Sequence, residues 1–208
     1  MSVDRLEDVL DEPVRHLDHH DPTIRRLALA ACRDLLSEAG VRAGVEARAA
    51  FDDDASVRAT AVEMLGTLGA WALELVMEAR HDDDARVVEA AATALGAIGS
   101  PAALAWLEEA AAAHPDRLVR EAAVASLGEI GDPSAIPTLL EVLAGGPPQV
   151  RRRAVVALTV FDGPEIETAL RRAAADRNPM VREVAEMVVG RAGDGGWYNL
   201  RLTDKARA

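Results

Sequence analysis

The residues of this 208-residue chain that could do chemistry are five histidines and two acidic runs. The histidines are His16, His19, His20, His81 and His114. The acidic runs are Asp52-Asp53-Asp54 and Asp82-Asp83-Asp84. Carboxylates and imidazoles can bind metals, but neither run has the alternating spacing of a calcium loop, and the histidines show no recognisable ligand spacing. We therefore predict no metal site and no cofactor.

Covalent and acid–base catalysis also lack a recognisable set of residues. Cys32 is the single cysteine, which excludes an internal disulfide and a cysteine-based zinc site. The carboxylates Glu108 and Glu109 are adjacent in sequence, so they point to different sides of a helix. The sequence shows no strand followed by a glycine-rich loop of the kind that binds phosphate. The sequence favours a non-catalytic protein.

The composition limits the fold and the partners. Hydrophobic residues make up 50% of the chain but aromatic residues only 3%, which suits closely approaching helices and disfavours a β-sandwich. The net charge of −12 repels nucleic acid and anionic lipid and favours partners with basic surfaces. A charged start and the absence of a run of about 18 apolar residues predict a soluble, cytoplasmic protein with no membrane contact.

The elements that must position any site follow from an internal repeat. Six apolar residues are separated by 33, 30, 32, 31 and 31 positions and serve as anchors for aligning the chain on itself. These anchors are Ile24, Val57, Val87, Val119, Val150 and Val181. An alanine stands four residues after each anchor: Ala28, Ala61, Ala91, Ala123, Ala154 and Ala185. Apolar residues at offsets 8 and 11 complete one helical face, which we predict to be buried.

Glycines and prolines recur with the same period and divide each repeat into helix A, a turn and helix B. One glycine column lies nine residues after the anchor (Gly66, Gly96, Gly128 and Gly190). A second lies three residues later (Gly69, Gly99, Gly131 and Gly193). Both columns are consistent with helix ends that need a left-handed residue. Pro101 and Pro133 follow two of these exits and can open the next helix.

One segment carries a family resemblance. Residues 127–140, LGEIGDPSAIPTLL, with Val150, Arg151 and Ala154 following, closely resemble the short HEAT-like repeat first recognised in phycobilin lyases. The resemblance extends over roughly residues 1–192 and implies an all-α, right-handed α-solenoid of about six HEAT-like helical pairs. Residues 193–208 form a C-terminal tail, flexible or docked. Val88, Pro147 and Arg33 depart from the repeat pattern.

A double polar column could be mistaken for a binding ladder. It consists of arginines after the anchors (Arg25, Arg58, Arg120, Arg151 and Arg182) and of Asp21, Asp54, Asp84, Asp116 and Asn178 three residues before them. In the proteins that the repeat resembles, these side chains cap helix B and pair between neighbouring repeats. A carboxylate or amide at this place can accept hydrogen bonds from the helix start. We predict a structural role for both columns.

Two enzyme classes built on HEAT-like repeats do not fit the residues. Deoxyhypusine hydroxylases need repeated His-Glu dyads to hold two irons, and no histidine here precedes a glutamate. HEAT-like DNA glycosylases need basic residues along the inner groove. Two residues after the anchors, the expected groove column alternates in charge: Arg26, Ala59, Glu89, Glu121, Arg152 and Glu183. We therefore predict no nucleic-acid partner.

The last two repeats differ from the earlier ones on the outward face of helix B. Repeats five and six carry Val156, Val160, Val184 and Met187 where repeats two to four carry small or polar residues. Exposed apolar patches mark interfaces. Arg152, Arg153 and Glu183 complete the predicted partner-binding site. Alternatively, the tail residues Trp197, Tyr198 and Leu200 cover this patch in the same or a neighbouring molecule.

These observations lead to two functional hypotheses. The first is a non-catalytic scaffold or adaptor that receives a protein or peptide on the concave helix B surface, and that is a monomer or a weak homodimer through the tail. The alternative is a bilin lyase or tetrapyrrole-handling chaperone, which the repeat resemblance permits.

Overall fold

The computed structural model describes residues 3–193, which form helices and connecting turns. Helices α1–α6 are Val3–Asp11, Pro22–Ala31, Ala39–Phe51, Ala55–Gly66, Leu73–Ala79 and Ala85–Ile98. Helices α7–α12 are Leu104–Ala113, Arg117–Ile130, Ile136–Gly145, Pro148–Leu158, Pro164–Ala173 and Pro179–Gly193. None of the helices within residues 3–193 combines the length and the apolar character needed to cross a membrane.

Within residues 3–193 the helices form six pairs, because each odd-numbered helix packs on the helix that follows it. The odd-numbered helices are the predicted helices A, and the even-numbered helices are the predicted helices B. The described residues form two compact units, divided between residues 103 and 104, and each unit contains three of these pairs. A lone pair cannot bury both of its apolar faces, so stacking of successive pairs supplies the core. The fold is an all-α solenoid. The extent of the solenoid domain, residues 1–192, stays a prediction.

The anchors and the columns at offsets four and eight form the core, as predicted, whereas at offset eleven Phe161 is buried but four residues are only half-buried: Leu35, Leu68, Ile98 and Ile130. All six anchors are at most 4% exposed, and all six alanines at offset four are fully buried. At offset eight, Val189 in α12 is half-buried. The other five residues of this column are at most 1% exposed: Cys32, Leu65, Leu95, Leu127 and Leu158. An apolar side chain every three to four residues gives each helix B one continuous buried stripe.

The second glycine column ends helices, as predicted, at two positions, where Gly99 and Gly131 cap α6 and α8. Gly69, Gly99 and Gly131 have φ values of 66°, 71° and 69°. This left-handed conformation is unfavourable for residues with a Cβ atom. Gly193 is the last residue of α12. Gly99 and Gly131 direct the chain out of helix B, whereas Gly69 opens a 3-10 segment, Gly69–Ala72, three residues after α4 ends.

The first glycine column has a different role from the predicted one. Gly66, Gly96 and Gly128 are buried and have no positive φ, so they are not helix stops of the left-handed kind. Gly96 and Gly128 lie inside α6 and α8, and Gly66 is the last residue of α4. A Cβ atom on Gly66 would lie 2.7 Å from Cβ of Ala94, and one on Gly128 would lie 2.9 Å from Cα of Ala157. These glycines therefore allow one helix B to approach the next.

Candidate functional site

The residues of the predicted capping column stand at the starts of helices B. Asp21, Asp54, Asp84, Asp116 and Asn178 each accept a hydrogen bond from a backbone N–H two residues later. These N–H groups have no partner within the helix, so the side-chain oxygen satisfies them. The capping prediction is confirmed.

Three of the five arginines of the column pair between neighbouring repeats, but with a different carboxylate from the one that caps the helix. Arg120 and Arg182 instead donate to backbone carbonyls of their own repeats. Arg25 donates to Asp52 at 2.9 and 2.6 Å. Arg58 donates to Asp82 at 2.7 and 2.8 Å. In the second unit, the distances from Arg151 to Asp176 are 3.0 and 2.7 Å. Two parallel hydrogen bonds from a guanidinium to a carboxylate are the strong form of this contact.

The partner carboxylates belong to a third polar column that sequence reasoning missed. Five residues before the anchors stand His19, Asp52, Asp82, His114 and Asp176, with Gly145 in repeat five. Each of these five side chains accepts the backbone N–H of the capping residue two positions later, at 2.7 to 3.1 Å. The recurrence at offset minus five was the signal that could have revealed them.

The electrostatics of these pairs agree with a structural role. Hydrogen bonding from Arg58 lowers the pKa of Asp82, and hydrogen bonding from Arg151 lowers the pKa of Asp176, in both cases against the effect of burial. At Asp52 burial alone raises the pKa, but the hydrogen bonds from Arg25 contribute to a net lowering. The carboxylates are therefore held in their charged form by the arginine of the preceding repeat.

The two acidic runs are likewise explained by the turns between helices A and B. In each run, the first aspartate pairs with an arginine and the third caps helix B. The middle residue of the first run, Asp53, also contacts Arg25. Across the described residues, no three His, Cys, Asp or Glu side chains come together as a metal-binding group.

The seven predicted partner-binding residues lie on α10, on α12 and on the turn after α10. Arg152, Arg153 and Glu183 are exposed, and Val184 is half-buried. Val156, Val160 and Met187 are 48%, 39% and 52% exposed, which is high for apolar side chains. Helices α10 and α12 pack against each other, so these residues belong to neighbouring helices of one unit.

Two further exposed apolar residues extend this surface. Met180 in α12 is 43% exposed, and Leu118 in α8 is 44% exposed. Both stand one residue before an anchor, on helices that pack on α10. We call the set Leu118, Val156, Val160, Met180, Val184 and Met187 the C-terminal apolar strip. The common offset of Leu118 and Met180 could have identified them from the sequence.

The predicted tail-docking residues Trp197, Tyr198 and Leu200 lie outside the residues that the structure describes. Whether they cover the C-terminal apolar strip stays a prediction.

Comparison with solved structures gives several chains of similar fold. A chain in the structure of the complex of CpcE and CpcF of phycocyanin lyase from Nostoc sp. PCC7120 is 25% identical, with 70% of this chain and 98% of that chain covered and a TM-score of 0.62. YibA from Escherichia coli is 20% identical, with coverage of 89% and 73% and a TM-score of 0.64. A designed armadillo repeat protein in complex with the peptide (KR)4 is 18% identical, with coverage of 85% and 96% and a TM-score of 0.61.

The sequence itself matches a family model described as HEAT repeats, at residues 42–128, 110–158 and 136–195. No curated protein matches it. The matched ranges cover most of the chain and coincide with the helical pairs formed by α3 to α12. The repeat resemblance noted in the sequence is confirmed, and the chain belongs to the HEAT-repeat family.

Proposed function

We propose that this protein is a non-catalytic scaffold that receives a protein or peptide partner on the C-terminal apolar strip. The observation that supports this proposal is the exposure of Val156, Met180 and Met187, each more than 40% accessible, on successive helices B. Burying a large apolar side chain stabilises a complex by roughly 1.5–3 kcal/mol, so a strip of this kind favours association.

Charged residues beside the strip supply the means of orienting a partner. Arg152 and Arg153 precede Val156 in α10, and Glu183 lies between Met180 and Val184 in α12; all three charged side chains are exposed. Charges at the rim of an apolar contact steer encounter and suppress wrong partners more than they add affinity. We expect a partner with an acidic group opposite the two arginines and a basic group opposite Glu183.

A comparison with repeats two and three supports placing the interface in the last two repeats. Six residues after the anchor, where Val156 and Met187 stand, repeats two and three carry Glu63 and Thr93, and both are exposed. A polar residue at this position gains nothing from burial unless a partner satisfies its hydrogen bonds. The apolar character is therefore local to the second unit.

We predict that partner binding depends on both the charges and the apolar side chains of this surface. A photo-crosslinking amino acid at Val160 should capture a discrete protein from a native extract. With that protein purified, Arg152→Glu/Arg153→Glu and Val156→Asp/Met187→Asp should each raise the Kd at least about tenfold, which corresponds to about 1.4 kcal/mol. Isothermal titration calorimetry measures both effects.

Arg15→Glu/Arg33→Glu is the matched control, because it changes two exposed arginines of the first unit and alters the net charge equally. This variant should bind as the unchanged chain does. Equal affinity in all three double variants would contradict the proposed interface, since neither the strip nor its charged rim would then contact the partner.

A bilin lyase or tetrapyrrole-handling chaperone is the second candidate. It is favoured by the 25% identity to a chain of the phycocyanin lyase complex, which is covered over 98% of its length. We predict for this case that adding the chain to biliverdin shifts and sharpens the pigment's absorption bands, because a bound bilin loses conformational freedom. An absorption spectrum that stays unchanged at a protein concentration of about 100 μM would exclude tight bilin handling.

A further inference from the structure

A groove runs between two helices A of the second unit, α9 and α11. It has a volume of about 940 Å³. Its apolar walls consist of Leu140, Leu143 and Ala144 from α9 and Ala169 and Ala173 from α11. Sites that hold small ligands have volumes of roughly 300–1,000 Å³ and are lined mainly by apolar groups with a few polar ones. The groove has the dimensions and walls of such a site.

The corresponding position in the first unit shows that such a groove is not a general property of the repeat. A groove between α3 and α5, also helices A of consecutive repeats, has a volume of only about 340 Å³. Its lining includes the three acidic residues Glu46, Glu78 and Asp82 and no arginine or lysine. The groove between α9 and α11 is therefore nearly three times larger, and its charge differs in sign.

The charges of the larger groove are arranged from one end to the other. Arg172 lies in the last turn of α11 and Arg177 lies just beyond it, whereas Glu165 lies in the first turn. Seven residues of helix separate Glu165 from Arg172, a rise of about 10 Å. One end of the groove is therefore basic although the chain as a whole carries a net charge of −12.

The basic end includes an arginine that can bind an anionic ligand. The buried Arg151 beside it is paired with Asp176 through two hydrogen bonds, so this arginine serves the repeat stack. By contrast, Arg172 is exposed and forms no ion pair with any residue that the structure describes. A guanidinium with free N–H donors binds a carboxylate through two parallel hydrogen bonds.

We propose that the groove between α9 and α11 binds a small amphipathic carboxylate, with its apolar body along Leu140, Leu143 and Ala169 and its carboxylate at Arg172 and Arg177. Ten-residue helices such as α9 and α11 are about 15 Å long, which matches an extended acyl chain of about twelve carbons. This site lies on helices A, so it goes beyond the partner-binding function proposed for the helix B strip.

Dodecanoate is the probe that tests this inference, at concentrations well below its micelle range. Isothermal titration calorimetry with the full chain should show saturable binding of one dodecanoate per chain. Arg172→Glu/Arg177→Glu should raise the Kd at least about tenfold, because it removes the carboxylate contact and places like charge beside it. Ala169→Phe should abolish binding by filling the groove, and its circular dichroism should match that of the unchanged chain.

Arg171→Glu is the control for a charge reversal outside the groove, because Arg171 is the neighbour of Arg172 on α11, is exposed, and does not line the groove. This variant should keep its affinity for dodecanoate. Val156→Asp/Met187→Asp should also keep it, and this result separates the groove from the C-terminal apolar strip.

Several outcomes would overturn the inference. These are the absence of saturable binding, equal affinity for dodecyltrimethylammonium, and loss of binding only in the strip variant. Binding of an acidic amphipathic peptide but not of dodecanoate, with loss in Arg172→Glu/Arg177→Glu, would instead assign the groove to a protein ligand.

Discussion

Replacing Asp52 with alanine is expected to lower the free energy of unfolding of the first unit by about 3 kcal/mol, which is the lower end of the range for breaking a buried ion pair. The side chain of Asp52 is fully buried, and that of its partner Arg25 is only 7% exposed. The substitution leaves a guanidinium in the core without its main counter-charge. The exposed Asp53 still contacts Arg25, which is why we do not expect the upper end of the range.

Urea denaturation followed by circular dichroism measures this effect, and hydrogen exchange of repeats one and two shows whether it is local. The double variant Arg25→Met/Asp52→Ala should be more stable than Asp52→Ala alone, because it leaves no uncompensated charge. Glu12→Ala, which breaks the exposed ion pair with Arg15, is the matched control and should change stability by less than about 0.5 kcal/mol. Equal losses in Asp52→Ala and Glu12→Ala would show that burial of the pair has no energetic weight.

The second large effect is expected at the first glycine column. There, replacing glycine with alanine should lower the stability at two positions and raise it at a third. Gly66→Ala and Gly128→Ala should each destabilise the protein by about 1–3 kcal/mol, because the new Cβ atom meets backbone and Cβ atoms of Ala94 and Ala157. Gly190 occupies the same place in the last repeat, and a Cβ atom there meets nothing within 4 Å. Gly190→Ala should therefore stabilise α12, by up to about 1 kcal/mol.

Equilibrium denaturation of the three single variants tests this expectation directly. Helix propensity favours alanine over glycine inside α8 and α12 alike, so it cannot produce opposite signs at Gly128 and Gly190. Stabilisation in all three variants would mean that α4 and α6, and α8 and α10, can separate slightly at no cost. Destabilisation in all three would instead point to a need for glycine in the helix itself.

The core and the helix caps were predictable because both depend on local periodicity. An anchor such as Val119 and the alanine four residues later must share one helical face, whatever the surrounding structure. The capping aspartates, for example Asp54 and Asp116, act on N–H groups two or three residues away. The predictions held wherever the physical cause lay within one turn of helix.

The candidate site was predictable only in part. The sequence indicated that Val156, Val160 and Met187 are apolar at outward positions, and the structure places them at the surface. Leu118 and Met180 were missed although both stand one residue before an anchor, a position that is buried in none of the six repeats. The spacing within the repeat could therefore have identified them.

Two roles were assigned wrongly or not at all because they depend on atoms far apart in the chain. Gly66 and Gly128 looked like helix stops, since a helix end and a close helix contact both favour a residue without a Cβ atom. The partner of Arg25 was not identified because three aspartates, Asp52, Asp53 and Asp54, stand in the next turn. The recurrence of a polar residue five positions before the anchor distinguishes Asp52 from the other two, and the packing of the repeats buries it.

By itself, then, the sequence determined the all-α repeat, the buried columns, the caps and the absence of a readable catalytic set, because each follows from the period of a helix or from the chemistry of nearby residues. Tertiary structure alone decided which arginines have a carboxylate within reach, which glycines touch a neighbouring helix, and that α9 and α11 leave a groove of about 940 Å³. These features depend on distances between helices. Such distances are set by how whole side chains fill the space between repeats, and no spacing along the chain encodes them directly.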